Sequence, residues 1–593
     1  MLGKFRRITL RIFISIFKVY TIIDNFIFSQ EFINSIIFVI LLIFAGLIRY
    51  FALDYNGSDY QNFLSPWYDY IVQHGGWKAL GDNFANYTPP YLYFLVILTY
   101  LPVPKLVGIK LVSIFFDFIL AYLVFSIINF CQQIREKQDN YNEILKKNLK
   151  KENNQDLVNE QNKITNLVSK NLFKTQNFSK ILIKHLPIIA FLVVLFSPTL
   201  IFNGAFWAQC DVIYTTFLVA SFFAILKKKY FLAIFWFAIS LSFKLQAMFF
   251  LPVLIVLLML RQINFLHFLI IPIVYILSIL PSFLIGRNFV ELLRIYADQG
   301  GTYNSLTMNS PNFYHWFGDG NYEILVKMGM VIAGIAFVGI CYFFYHLGKQ
   351  IWSSDPSLQS NNSKFYGQSQ RLYFSTFYSE LKTKNSNKKS SKNYQFSPQS
   401  SQDSQYLDQN SANSLQNLDN SNSILQKKPT KKTKFIKLFN FFNFQKKRPK
   451  VLITKSDKQD DKQVEIKDQN LGTSKINETK FDKFKCEINW NLEIKIIDFW
   501  MNLTMISVLT LPYFLPKMHE RYFFVADIFA ILYVFWKPRR FWIAILINLC
   551  SFFSYGPFLL GTKPFDFSYL SMALLVTIIY LLVTNIRENL EVD

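Results

Sequence analysis

FINSIIFVILLIFAGLIRYFAL, residues 32–53, decides the fold. Crossing about 30 Å of hydrocarbon takes roughly 20 mostly apolar residues in a helix, and this stretch qualifies. FLHFLIIPIVYILSILPSFLI, beginning at residue 265, reads the same way. The chain of 593 residues is 52% hydrophobic and 18% aromatic, and the apolar residues fall in long blocks separated by polar inserts. A soluble chain of this size would instead distribute them over several domains with mixed surfaces.

The formal charge of +23 raises nucleic acid as a ligand, but its distribution excludes that reading. Lysine gathers in inserts at 131–181 and 348–490 and in clusters such as Lys227–Lys229 and Lys537-Pro538-Arg539-Arg540. Basic residues retained on the cytoplasmic side orient a membrane protein. The five cysteines (Cys131, Cys210, Cys341, Cys486 and Cys550) show no CxxC spacing, so neither a zinc site nor a disulfide framework follows. Residues 1–31 are basic and only moderately apolar, which suits an interfacial helix.

Charge parity yields a topology. With the N-terminus cytosolic and 32–53 crossing outward, 54–90 becomes a net acidic lumenal loop. The piece 90–102, cut by Pro102 and Pro104, is too short to span and reads as an embedded helix. Spans then follow at 106–130, 183–203, 212–226, 230–243, 246–260, 264–285, 323–347, 494–514, 521–536, 541–560 and 567–585. The expectation is an all-α polytopic membrane protein of about 11–13 transmembrane helices, with a lumenal first loop, a second lumenal loop at 286–322 and disordered cytosolic inserts. The insert 348–490 is rich in Ser, Asn, Gln and Lys and lacks the apolar surface to fold. Its segment 427–450 interleaves Lys with Phe, as suits an anionic membrane surface.

Four polar motifs fall on the lumenal side of this topology. Asp59 lies just beyond the first span and can act as a general base toward a bound hydroxyl. WAQCD supplies Trp207, Gln209 and Asp211, an indole, an amide and a carboxylate suited to sugar hydroxyls. FKLQA places Lys244 and Gln246 in an apolar stretch, where a lysine needs a partner or a cavity. PKMHERYFFVAD brings Lys517, His519, Glu520 and Arg521, of which Arg and His can clamp a phosphate. The triplet His519-Glu520-Arg521 is not HExxH, so no metal site is read here. Tyr87 in NFANYTPPYLYF and Gln299 and Asn312 in the loop 296–316 add groups suited to a carbohydrate. Asp117 and Asp527, both within spans, are expected to pair with lumenal basic residues or cap helix ends.

In order, GSDYxxFLxPWYxxxxxHGGxxAL, NYxPPYLYFL, WxQxDxIY, FKLQA and PKMHERYFFxAD resemble the GT-C superfamily of integral-membrane glycosyltransferases. The pattern is most similar to mannosyltransferase-like proteins related to the enzyme adding the second mannose of GPI anchors. It is more distantly similar to the dolichyl-phosphate-glucose enzymes of N-glycan assembly. The resemblance covers 32–347 and 490–585 and implies an inverting transfer from a dolichyl- or polyprenyl-phosphate sugar to a lipid-linked or glycan acceptor, in the endoplasmic reticulum membrane. By this resemblance Asp59 matches the catalytic aspartate, and Lys244, His519 and Arg521 are candidates to neutralise the leaving phosphate. Trp207, Gln209, Asp211, Gln246, Tyr87, Asn312 and Glu520 are candidates to hold sugar or acceptor. Ala208 stands where related sequences often carry Gly. Two other readings of the same residues are a transporter or lipid scramblase, and a GT-C relative without activity.

Overall fold

The computed structural model describes residues 30–151, 178–301, 304–317, 321–353 and 474–590. The chain divides into two units, Met1–Lys364 with Thr479–Asp593, and Phe365–Glu478. Of the second, only 474–478 are described, as helix. The basic N-terminal segment up to residue 29, the middle of the first insert and 354–473, with its Lys/Phe stretch, lie outside the described residues.

The described chain is almost wholly helical: α1 Gln30–Phe51, α2 Ser65–Gln73, α3 Pro89–Thr99, α4 Lys105–Lys151, α5 Phe178–Leu195, α6 Asp211–Leu226, α7 Tyr230–Phe243, α8 Leu251–Met259, α9 Ile270–Ile285, α10 Phe289–Gly301, α11 Tyr322–Ser353, α12 Ser474–Phe514, α13 Phe524–Trp536, α14 Phe541–Ser554 and α15 Phe567–Leu590. Six helices are long and apolar enough to cross a membrane, on α1, α4, α9, α11, α12 and α15. A seventh crossing arises if α5 and Pro198–Phe206, bent by 46° at the Ser197-Pro198 break, count as one. The proline cannot donate to the preceding turn, so the helix restarts there. The other expected spans are shorter apolar helices: α6, α7, α13, α14 and the run Leu245–Met259. Pro89–Thr99 is an 11-residue helix, as its flanking prolines suggest.

The helices sort by exposure. α6, α13 and the 491–514 part of α12 are buried almost all round and form the centre of the bundle. α1, α9 and α11 present large apolar side chains outward, among them Ile40, Phe44, Leu277, Val331 and Val338. Outward apolar faces on closed-ladder helices are what hydrocarbon selects, because lipid offers no partner for backbone polar groups. This is an all-α polytopic membrane protein.

Two boundaries differ from expectation. The inserts do not begin as loops: α4 continues to Lys151 and α12 begins at Ser474. Within 131–151 the sequence is rich in helix formers, and Gln132 donates to Glu136 one turn on at 2.8 Å, so the helix needs no apolar face to continue. The span placed at 246–260 is a 3-10 turn, Leu245–Phe250, followed by α8.

The basic clusters gather at one end of the bundle, tied by charge. Lys228 pairs with Glu493, Lys537 with Asp498 and Glu588, and Arg540 with Glu588. Arg135 lies 3.9 Å over the Trp536 ring and donates to the Trp536 carbonyl at 2.6 Å. The motif residues lie at the other end.

Candidate functional site

Backbone irregularity builds the site. After Pro198–Ile201 the chain makes a π turn, Phe202–Phe206, then turns at Ala208, whose φ is 61°. This delivers Gln209 and Asp211 to the end of α6. At Lys244 the backbone is extended (φ −151°, ψ 139°), so α7 stops and the side chain turns inward. Asp59 begins a π turn, Tyr60–Leu64, just ahead of α2. A two-residue parallel strand pair, Thr307–Met308 with Met518–His519, fixes the last motif against the loop after α10. Backbone bonds from Lys517 to Leu306 and from Glu520 to Met308 frame it.

These segments converge. Arg521 Nη1 lies 3.4 Å from Asp59 Oδ2 and 3.2 Å from Glu520 Oε1, and Arg521 Nε lies 3.6 Å from Asp211 Oδ2. Asp211 is fully buried, accepting from Lys244 Nζ at 2.5 Å and from Asn203 Nδ2 at 2.9 Å. Gln209 Nε2 donates to Asp59 Oδ2 at 2.5 Å. Burial works against the Lys244 ammonium, but the Asp211 carboxylate outweighs it and holds lysine charged, above its usual range. Burial pushes the neighbouring Tyr87 phenol up to about 12, the Lys244 ammonium acting in the opposite sense. Tyr87 thus stays a neutral hydroxyl, its ring 5.4 Å from the Lys244 ammonium.

A cavity of about 920 Å³ opens over this network. Asp59, Tyr87, Gln209, Lys244, Gln246, Gln299, Lys517, His519 and Arg521 line its polar head. Most of the rest of the lining is apolar, including Leu245, Met248, Phe249, Leu511 and Leu515 and, on α11, Met330, Ala333 and Phe337. The cavity therefore presents basic groups against a single lining carboxylate, Asp59, and takes part of its apolar lining from the outward-facing α11.

Four expected contact residues take other places. Trp207 is 1% exposed and packs against Tyr555 and Phe558, with Arg521 5.5 Å over its ring, so it supports the guanidinium and is closed to a sugar. Asp211 and Glu520 lie behind the cations, outside the cavity lining. Asn312 is buried, bonding to the Leu515 carbonyl and accepting from Tyr314 N and Ser571 Oγ, so it braces the loop. Among the described residues Asp527 has no basic partner; it accepts from Ser551 at 2.7 Å. Asp117 does pair, with Arg49 of α1 at 2.8 Å.

Arg49, Lys110 and Ser113, all buried, belong to none of the sequence motifs. Their signal was present: charged residues inside otherwise apolar helices, with 110, 113 and 117 on one face of α4. Among the described residues, no group of three or more His, Cys, Asp or Glu side chains is arranged to hold a metal ion.

Fold and site together define a polytopic α-helical membrane protein with an ion-paired cavity at the end of the bundle opposite its basic clusters. No protein-family model, curated protein or solved structure matches the chain.

Proposed function

We propose that this chain is an inverting hexosyltransferase of the endoplasmic reticulum membrane, with the fold and motif roles of the GT-C superfamily. Its donor is a dolichyl- or polyprenyl-phosphate sugar, mannose by preference, and its acceptor a lipid-linked or glycan hydroxyl on the lumenal face. The observation that carries the reading is the meeting of Asp59 and Arg521, 3.4 Å apart, in a cavity whose lining is otherwise mostly apolar. A sugar phosphate suits the basic groups and a polyprenyl tail suits the apolar lining.

In the proposed reaction Asp59 takes the proton of the acceptor hydroxyl as that oxygen attacks the anomeric carbon. The bond from that carbon to the phosphate oxygen breaks, and its electron pair leaves with the phosphate. Lys244, His519 and Arg521 neutralise the departing charge; a phosphate needs such stabilisation more than protonation. Gln209 orients the carboxylate through its hydrogen bond. Gln246 and Tyr87 offer an amide and a neutral hydroxyl for sugar or acceptor.

The test is sugar transfer by the purified chain from dolichyl-phosphate-mannose and dolichyl-phosphate-glucose to a set of lipid-linked acceptors, with Asp59→Asn alongside. Transfer by the parent and loss of about 10²-fold or more in the folded variant supports the reading. Unchanged transfer in Asp59→Asn removes the carboxylate from the mechanism. A lipid transporter or scramblase is the second reading, favoured by the bent pair at Ser197-Pro198. Lipid movement in vesicles without any transfer points there.

A further inference from the structure

The site residues are held by loops, yet proton transfer needs a carboxylate held in one orientation. The source of that rigidity lies on α4. Lys110, Ser113 and Asp117, at spacings of three and four, fall on one face of the helix, and all three are buried.

Lys110 Nζ donates to the carbonyls of Ala52 and Tyr55, each at 2.6 Å. These carbonyls follow the C-terminus of α1, where unpaired acceptors and the negative end of the helix dipole favour a cation. The gripped segment leads directly into Asp59. One turn further along α4, about 4.5 Å at the usual helical rise, Ser113 Oγ donates to the carbonyl of Gln209 at 2.7 Å. The Gln209 side chain is the one that donates to Asp59. One rung deeper, Asp117 holds Arg49, which also donates to the carbonyls of Ala45 and Leu195, tying α1 and the end of α5 to the same face. Gly204, in the π turn before Gln209, sits so close that an added Cβ would lie 3.3 Å from the Ser113 Cβ.

We infer that this face of α4 is a positioning device: Lys110 grips the loop carrying Asp59, Ser113 grips the loop carrying Gln209, and together they set the orientation of the Asp59 carboxylate. An apolar helix has no need of a buried lysine whose hydrogen bonds go to backbone carbonyls of the segment that leads into Asp59. Two grips one turn apart, on the two loops whose side chains then bond to each other, supply that need. The catalytic consequence rests on the proposed transferase reading; the grip itself does not.

The experiment uses the full chain with Ser113→Ala, which removes the hydroxyl at little cost to packing, and Ser113→Thr, which keeps it. Initial rates across donor concentrations are paired with amide hydrogen exchange read by mass spectrometry. In Ser113→Ala, kcat is expected to fall about tenfold or more, with KM for the donor within about twofold. Ser113→Thr is expected to recover most of the loss. Exchange should quicken in peptides covering 54–64 and 203–211 and stay unchanged around 524–540. Parental kcat in Ser113→Ala, a loss that Ser113→Thr does not restore, or unaltered exchange in both loops overturns the inference. If the parent transfers no sugar, the transferase reading fails, and exchange alone decides the grip: faster in both loops upholds it, unchanged overturns it. Lys110→Arg, which keeps the charge, tests the other arm by the same exchange measurement, with faster exchange in 54–64 than in 203–211 expected.

Discussion

The Arg521 guanidinium touches three carboxylates at once: Asp59 at 3.4 Å, Glu520 at 3.2 Å and Asp211 at 3.6 Å. Its planar fork serves as a hub for groups on three segments that lie far apart in the chain. A lysine at the same position carries the charge but not the fork. Arg521→Lys should therefore insert and fold, yet lose about tenfold or more in turnover, because Asp59 and the leaving phosphate lose a shared donor. Transfer rates on detergent-purified protein check this, with elution profile as the control for folding.

The Lys244–Asp211 pair should respond as a buried pair does. Asp211 is fully buried and Lys244 nearly so, 2.5 Å apart. Removing Lys244 leaves the buried Asp211 carboxylate with the more distant Arg521 guanidinium, 3.6 Å away, as its cation, at a cost of up to about 3–5 kcal/mol. Lys244→Met should lower the thermal midpoint sharply. Lys244→Met with Asp211→Asn should regain most of that stability, since no lone buried charge remains, and still transfer no sugar. Unfolding curves of the two singles and the double form the cycle that measures it. Recovery of stability together with activity would strip Lys244 of its phosphate role.

What the sequence made legible follows from cost. A lysine is expensive in an apolar stretch, so Lys244 stood out, while Asp59, Gln209 and Arg521 stood out as polar groups in the connections between apolar runs that charge parity puts on one side. Long apolar runs likewise announce α1, α4, α9, α11 and α15. The break at Lys244 falls between the expected spans 230–243 and 246–260, whereas the break after Leu195 lies inside the expected span 183–203 and was not legible, because it depends on tertiary partners for the released backbone groups. Trp207 shows the limit most plainly. The same indole could stack on a sugar or on Tyr555, and only the position of a residue nearly 350 places later decides between them. Lys110 and Ser113 were missed for a related reason: their partners are backbone carbonyls, which have no letter in the sequence.

Acidification should loosen the loop that braces His519. His315 sits in the turn Phe313–Trp316 beside Phe567, and burial lowers its pKa below the usual imidazole value. Its stabilising contribution is present while the ring is neutral, above the unfolded value of about 6.5. That contribution is lost as pH falls from there through the lower folded value, because the unfolded chain takes up the proton first. Thermal stability should therefore fall as pH drops below about 6.5, and His315→Phe should flatten that part of the profile. An unaltered profile in the variant assigns the acid sensitivity to other groups.

Ala208 offers a substitution whose two effects should have opposite signs. Its φ of 61° is a left-handed conformation that glycine adopts freely and alanine does not. Two backbone bonds hold it there: Ala208 N to the Gly204 carbonyl at 3.0 Å and Gln209 N to the Asn203 carbonyl at 2.9 Å. The conformation costs alanine about 1–2 kcal/mol. Glycine removes that cost but gains freedom in the unfolded chain, so Ala208→Gly should stabilise by at most about 1 kcal/mol. The same freedom acts in the folded state, one residue from the Gln209 amide that orients Asp59. Turnover should therefore drop a few-fold while the thermal midpoint rises. A variant that is both more stable and fully active would show that the strained turn serves folding topology alone and that Gln209 is oriented by Ser113 without its help.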